Sequence, residues 1–130
     1  GISVNYDDYN FNNFKIKNEN IIILSVHSPS DSKDYLFLMD YTNSSSIETK
    51  KLIYLDEGYW NYEAANYFDG KVNYIILYDQ KANKLYVYNL DGQKLGEVNI
   101  ASDYGTINPY IIRDHYLYAS TNNYLLVFDL

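Results

Sequence analysis

Residues 72–100, VNYIILYDQKANKLYVYNLDGQKLGEVNI, decide the fold. The stretch reads as three strands, Val72 to Tyr78, Leu85 to Leu90 and Lys94 to Ile100, joined by Asp79–Lys84 and by Asp91-Gly92-Gln93. Runs of Ile, Leu, Val and Tyr suit a pleated, half-buried surface. Asp-Gly between two such runs is a strong hairpin signal, because a type I′ turn needs positive φ at its centre and glycine has no Cβ to clash there. The segment is therefore expected to be an antiparallel meander, and the rest of the chain reads as weaker copies of it.

Toward the N-terminus, Ile2 to Tyr6 alternates apolar and polar side chains, the mark of a half-buried strand. Asp7 to Asn13 reads as a loop, Phe14 to Lys17 alternates again, and Asn18-Glu19-Asn20 is a turn. Ile21 to Val26 is nearly unbroken in its apolar character and predicts a strand covered on both faces. His27 to Asp34 is a Ser/Pro/Asp loop, Tyr35 to Tyr41 a strand, Thr42 to Ser46 a turn, and Ile47 to Leu55 a strand. Tyr59 to Phe68 fits one short helix or an irregular strand equally well, with Trp60, Ala64, Ala65 and Phe68 at i, i+4, i+5 and i+8. Beyond Ser102–Gly105, strands are expected at Ile107–Ile112, Tyr116–Ser120 and Tyr124–Leu130.

These strands fall into three groups that overlay. The second strands read IIILSV at 21–26, YIILYD at 74–79 and YLYAST at 116–121; the third read LFLMDY at 36–41, YVYNL at 86–90 and LLVFDL at 125–130. Taking Asp40, Asn89 and Asp129 as equivalent, the groups lie 49 and 40 residues apart. A period of about 40–50 residues with four short strands is the spacing of β-propeller blades. The expectation is one all-β domain over residues 1–130, made of antiparallel four-stranded meanders. Its blade-like repeats would lie at about 14–55, 59–100 and 106–130, with an added N-terminal strand at 2–6. A single β-sandwich or barrel of about ten strands is the alternative.

Leu85 to Val98 resembles a blade of the YncE, NHL and PQQ-repeat-like propellers. Their third strand ends in a run of Val, Tyr or Phe, Asp or Asn, Leu, Asp or Asn, and Gly. Val87-Tyr88-Asn89-Leu90-Asp91-Gly92 matches that run, Val127-Phe128-Asp129-Leu130 matches in part and Leu38-Met39-Asp40-Tyr41 poorly. The likeness lies mainly in the C-terminal half, and no WD dipeptide, Kelch double glycine or Asp-box accompanies it. It implies a propeller that either recognises a protein or ligand, or gathers metal and acid residues in its channel as lactonases and glycosidases do. Three blades do not close a ring, which typically takes four or more. The resemblance therefore implies either pairing of two copies or membership of a larger propeller, with Ile2–Tyr6 supplying the strand the last group lacks.

Composition narrows the chemistry. The net charge is −7 and Arg113 is the sole arginine, so the basic footprint that meets nucleic-acid phosphates or an anionic membrane surface is missing. Lys50-Lys51 reads as strand-edge solvation. No apolar run approaches the roughly 18 residues a membrane span requires. Without cysteine there is no disulfide, thiol nucleophile or Cys-based zinc site. The start at Gly1 instead of Met is expected to reflect either a removed signal peptide or the scar of a cleaved tag; the first makes the chain an exported protein, extracellular or periplasmic, with a cytoplasmic one as the alternative, and a bacterial source is expected.

His27 and His115, the two histidines, read as solvated turn residues. Ser25, Asp114 and His115 form a nucleophilic triad only on paper, since no Gly-x-Ser-x-Gly elbow supports it. Asp40, Asp79 and Asp129 end strands and Asp56-Glu57 follows one. A carboxylate pair about 5 Å apart does glycosidic chemistry, but no calcium loop of the Asp-x-Asp-x-Asp-Gly kind is present. Asp69-Gly70 and Asp91-Gly92 are turn chemistry first. No cofactor or metal is called for by these residues.

Among 17 tyrosines, the cluster at Tyr59, Trp60, Tyr62, Tyr67 and Phe68 stands out. On a surface loop it would make an aromatic platform for sugar rings or a protein hot spot; inside, it would be core between blades. The expected function is a non-catalytic binding module for a protein, small-molecule or carbohydrate ligand, with a hydrolase or lactonase-like propeller enzyme as the alternative.

Overall fold

The computed structural model describes residues 13–107 and 110–130. Eleven strands account for most of them: β1 Phe14–Lys15, β2 Ile21–Ser28, β3 Lys33–Asp40, β4 Glu48–Tyr54, β5 Tyr62–Phe68, β6 Asn73–Asp79, β7 Lys84–Tyr88, β8 Lys94–Asn99, β9 Tyr110–Arg113, β10 Tyr116–Ser120 and β11 Leu125–Asp129. Two 3-10 turns, Tyr59–Asn61 and Ser102–Tyr104, interrupt them, and no α-helix occurs among the described residues. The fold is all-β. Its strands form three antiparallel sheets in simple up-and-down order, β1-β2-β3-β4, β5-β6-β7-β8 and β9-β10-β11. No sheet closes into a barrel, and three sheets replace the two of a sandwich.

Local chemistry explains the departures from the sequence reading. Tyr59–Phe68 is neither a helix nor an irregular strand throughout: its first three residues form a 3-10 turn and the remaining seven a regular strand. The third group carries three strands among the described residues, as its own residues were expected to, and so lacks the fourth strand of a full blade. Ile2–Tyr6, proposed above as an added strand, lies outside the described residues. The Asp91-Gly92 connection is not a type I′ turn, because Gly92 alone has positive φ there, at 82°. The Gly92 amide bonds back to the Asn89 carbonyl at 3.1 Å, and the Asn89 side-chain oxygen accepts from the Asp91 and Gln93 amides. This wider turn ends β7 at Tyr88 and shifts the β7–β8 register after Val87.

The second sheet is covered on both faces, and strand alternation assigns each residue to a side. Ile75 and Leu77 of β6, with Tyr62 of β5, pack on Ile23, Leu36, Leu38 and Ile53 of the first sheet. Ile76 and Tyr78, with Tyr67 and Leu85, pack on Leu117 and Ala119 of the third. Each fully buried Ile or Leu here stabilises the fold by about 1.5–3 kcal/mol. The nearly continuous apolar run of β6, read above as a meander strand, is thus a doubly covered one.

Polar contacts pin the seams. Gly92 presses on β4 so closely that a Cβ there would overlap the Leu52 carbonyl oxygen. The Lys17 amide donates to Asn66 Oδ1 at 2.9 Å, Asn66 Nδ2 donates to Asn73 Oδ1 at 3.0 Å, and Asn73 Nδ2 donates to the Lys17 carbonyl at 2.9 Å. This closed ring of bonds ties the β1–β2 turn to β5 and β6. On the other seam, Tyr78 donates its hydroxyl to Asn83 Oδ1 at 2.5 Å and accepts from the Ile107 amide at 3.1 Å.

Candidate functional site

The turns entering β5 and leaving β6 lie together, joined by a bond from the Gln80 amide to the Asn61 carbonyl. Gly58, at φ 81°, turns the chain into Tyr59–Asn61. Asp34, at the start of β3, fixes this turn: its Oδ2 accepts from the Tyr59 amide at 3.0 Å, while its Oδ1 lies 2.6 Å from His27 Nδ1. The Gln80 amide bonds to the Asn61 carbonyl at 2.8 Å, Asn61 Nδ2 donates to the Glu57 carbonyl, and the Tyr62 hydroxyl donates to Asp56. Lys81 reaches Glu57 at 2.7 Å, and that bond raises its pKa. Burial, with the Asp56 bond and the Asp79 charge, drives the Tyr62 phenol far above its usual range.

Trp60 projects from this braced turn with 70% of its surface exposed, its ring 5.0 Å from that of Tyr59. A lone tryptophan is expected in the core, and this one is displayed. Beside it opens a cleft of about 180 Å³ lined by Trp60, Tyr62, Glu63, Tyr78, Gln80 and Ile107. Glu63 is half-buried, and burial raises its carboxyl pKa.

The five aromatic residues singled out in the sequence do not form one platform. β5 is extended, so Tyr62 and Tyr67 stand roughly 17 Å apart along it. Tyr59 and Trp60 sit at one end on the 3-10 turn. Tyr62 and Tyr67 are buried on opposite faces of the second sheet, in the two seams. Tyr67 stacks on Tyr74 at 5.9 Å. Phe68 is at the far end, with Lys17 Nζ 5.4 Å from its ring centre.

That far end holds a second, open cleft of about 550 Å³ whose lining includes Lys17, Tyr67, Phe68, Asp69, Asp114 and His115. The Asp69 carboxyl accepts from the Val72 and Lys71 amides and the Tyr74 hydroxyl, bonds that hold its pKa below the usual carboxylate range. The His115 ring lies tilted against that of Tyr116, their centres 4.1 Å apart. Ser25 is buried on β2 in the first sheet, while Asp114 and His115 form the β9–β10 turn of the third, and no hydrogen bond joins any two of the three.

Two of the strand-end carboxylates, Asp40 and Asp79, serve local structure. Asp40 accepts from the Thr42 hydroxyl and amide, which lower its pKa, and buried Asp79 accepts from the Ala82 amide. Among the described residues no group of three His, Cys, Asp or Glu side chains is placed to hold a metal ion, and no helix is long and apolar enough to cross a membrane.

Sequence reasoning missed Asp34, Glu63 and Gln80. Glu63 did carry a signal: it is the one charged side chain within the strand YEAANYF. Asp34 carried none, because the Tyr59 amide that it holds lies 25 residues away.

No protein-family model, curated protein or solved structure matches this chain.

Proposed function

We propose that the chain is a non-catalytic recognition module of the β-propeller kind, its three meander sheets being successive blades, and that it binds a partner through the end carrying Tyr59 and Trp60. One observation carries the binding reading: a 70% exposed tryptophan on a turn held by bonds from Asp34, Gln80 and Glu57. An aromatic anchor fixed in advance loses little freedom when a partner arrives, and tryptophan is among the residues that dominate interface energies.

The blade reading is supported by the double covering of the second sheet. It is also supported by the outer face of the third sheet, where Ile111, Leu125 and Val127 are each more than half exposed. Such a face is an apolar liability, and in the working assembly it is covered by a further sheet, from a second copy or from a larger propeller.

The sole tryptophan provides the test, since its indole N–H gives a single side-chain resonance in a nitrogen-proton spectrum. Titration with panels of short peptides and oligosaccharides is expected to shift that resonance for at least one class, and the W60A variant to lose the binding. A panel that leaves the indole unmoved, or binds W60A equally well, overturns the reading.

A further inference from the structure

We propose that the cleft beside Trp60 receives a side-chain cation, the ammonium of lysine or the guanidinium of arginine, from a basic segment of a partner protein, with Glu63 as its counter-ion. The inference rests on the binding role of the Trp60 end and adds to it the chemistry of what is bound.

Several observations converge. Glu63 is half-buried in the cleft, and its carboxylate makes no hydrogen bond or ion pair with any described residue. A carboxylate drawn out of water without a donor is costly, and a cation brought to it restores what hydration it has lost. The donors nearby are already committed: the Tyr78 hydroxyl to Asn83, the Tyr62 hydroxyl to Asp56, and the Lys81 ammonium to Glu57. None of these turns toward Glu63, so among the described residues its carboxylate has no counter-ion.

The lining supplies the rest of a cation site. Trp60, 70% exposed, lines the cleft, and an indole attracts cations more strongly than any other aromatic side chain. Gln80, also exposed, adds a side-chain carbonyl for a remaining N–H. Size then selects the occupant. About 180 Å³ lies below the range of about 300–1,000 Å³ that takes a whole small molecule. It matches one inserted side chain. The chain's overall charge of −7 favours approach of a basic partner over long range.

The experiment titrates the chain with three blocked tripeptides, Gly-Lys-Gly, Gly-Arg-Gly and Gly-acetyl-Lys-Gly, following the Trp60 indole resonance and the Glu63 side-chain carboxyl carbon. At least one cationic peptide is expected to move both signals and to bind at least tenfold more tightly than the acetyl-lysine peptide. Whichever of lysine and arginine binds more tightly identifies the head group. In the E63Q variant, checked for an unchanged backbone spectrum, that preference is expected to vanish. Equal binding of the acetylated peptide, an unmoved Glu63 signal, or a preference that survives in E63Q overturns the inference. In each of those cases a Trp60 response to other members of the wider panel leaves the binding role standing. A Trp60 indole that no compound moves removes both.

Discussion

The α-carbon of Gly92 lies against the carbonyl oxygen of Leu52, so that the β7–β8 turn of one sheet is seated on the last strand of its neighbour. Two demands meet at this position. The backbone has φ 82°, where any side chain costs about 1–2 kcal/mol, and a methyl group would collide with backbone that has no rotamer to escape into. G92A is therefore expected to lose at least about 2 kcal/mol of stability, read as a lower urea midpoint at unchanged slope. An unchanged midpoint would show that this turn does not rest on β4.

Tyr78 joins β6 to the segment that leads into the third sheet. Removing its hydroxyl in Y78F leaves the Ile107 amide without its acceptor and Asn83 without its donor. A loss of about 1–3 kcal/mol is expected. Hydrogen exchange at Ile107 should accelerate more than exchange within the first sheet, and uniform acceleration across both would contradict the assignment.

Neighbouring residues of β6 should report on different seams. I75A and I76A each remove a fully buried branched side chain and are each expected to cost about 2–5 kcal/mol. Their spectroscopic footprints should differ. I75A should perturb Ile23, Leu36 and Leu38, and I76A should perturb Leu117 and Ala119. Identical footprints would refute a three-layer stack.

Two carboxyls should give opposite pH dependence. Asp69 has its pKa lowered by bonds from Val72, Lys71 and Tyr74, so its contribution is present above its ordinary value of 3.8 and is lost as pH falls through its lower folded value. D69N should therefore be the less stable protein at neutral pH, the gap closing in acid. Glu63 has its pKa raised by burial, so the folded state holds its proton more tightly and the charge opposes folding as pH rises above 4.5. E63Q should be more stable than the parent at pH 7 and indistinguishable from it below about pH 4, as urea melts across pH would show.

The outer face of the third sheet makes a prediction about mass. Light scattering is expected to give about twice 15.2 kDa or more at high concentration, and L125E with V127E to return the chain to a single copy. A parent that stays a single copy at every concentration would remove pairing of two copies from the proposed assembly.

Most of the architecture was legible because strand alternation is a local signal. The IIILSV, YIILYD and YLYAST runs each became the second strand of a sheet, and the run at 74–79 is covered on both sides. Turn chemistry was less legible: Asp91-Gly92 marked a turn, but the side chain of Asn89 and the closeness of Leu52 decided its shape. The aromatic cluster was readable as a cluster and unreadable as a geometry. An extended β5 separates its members along the strand, and alternation sends Tyr62 and Tyr67 to opposite sides, so proximity in sequence became distance in space. Glu63 became interesting only once Tyr78, Gln80 and Ile107 had gathered around it from two other segments.

Because odd and even residues of β6 serve two separate clienteles, a single inserted or deleted residue within it would hand each neighbour the other's side chains. Small hydrophobic exchanges along this strand are tolerable one at a time, whereas a slip of one position is wrong everywhere at once. The strand therefore acts as a frame-reading element, and its hydrophobic run can drift in identity far more readily than in length.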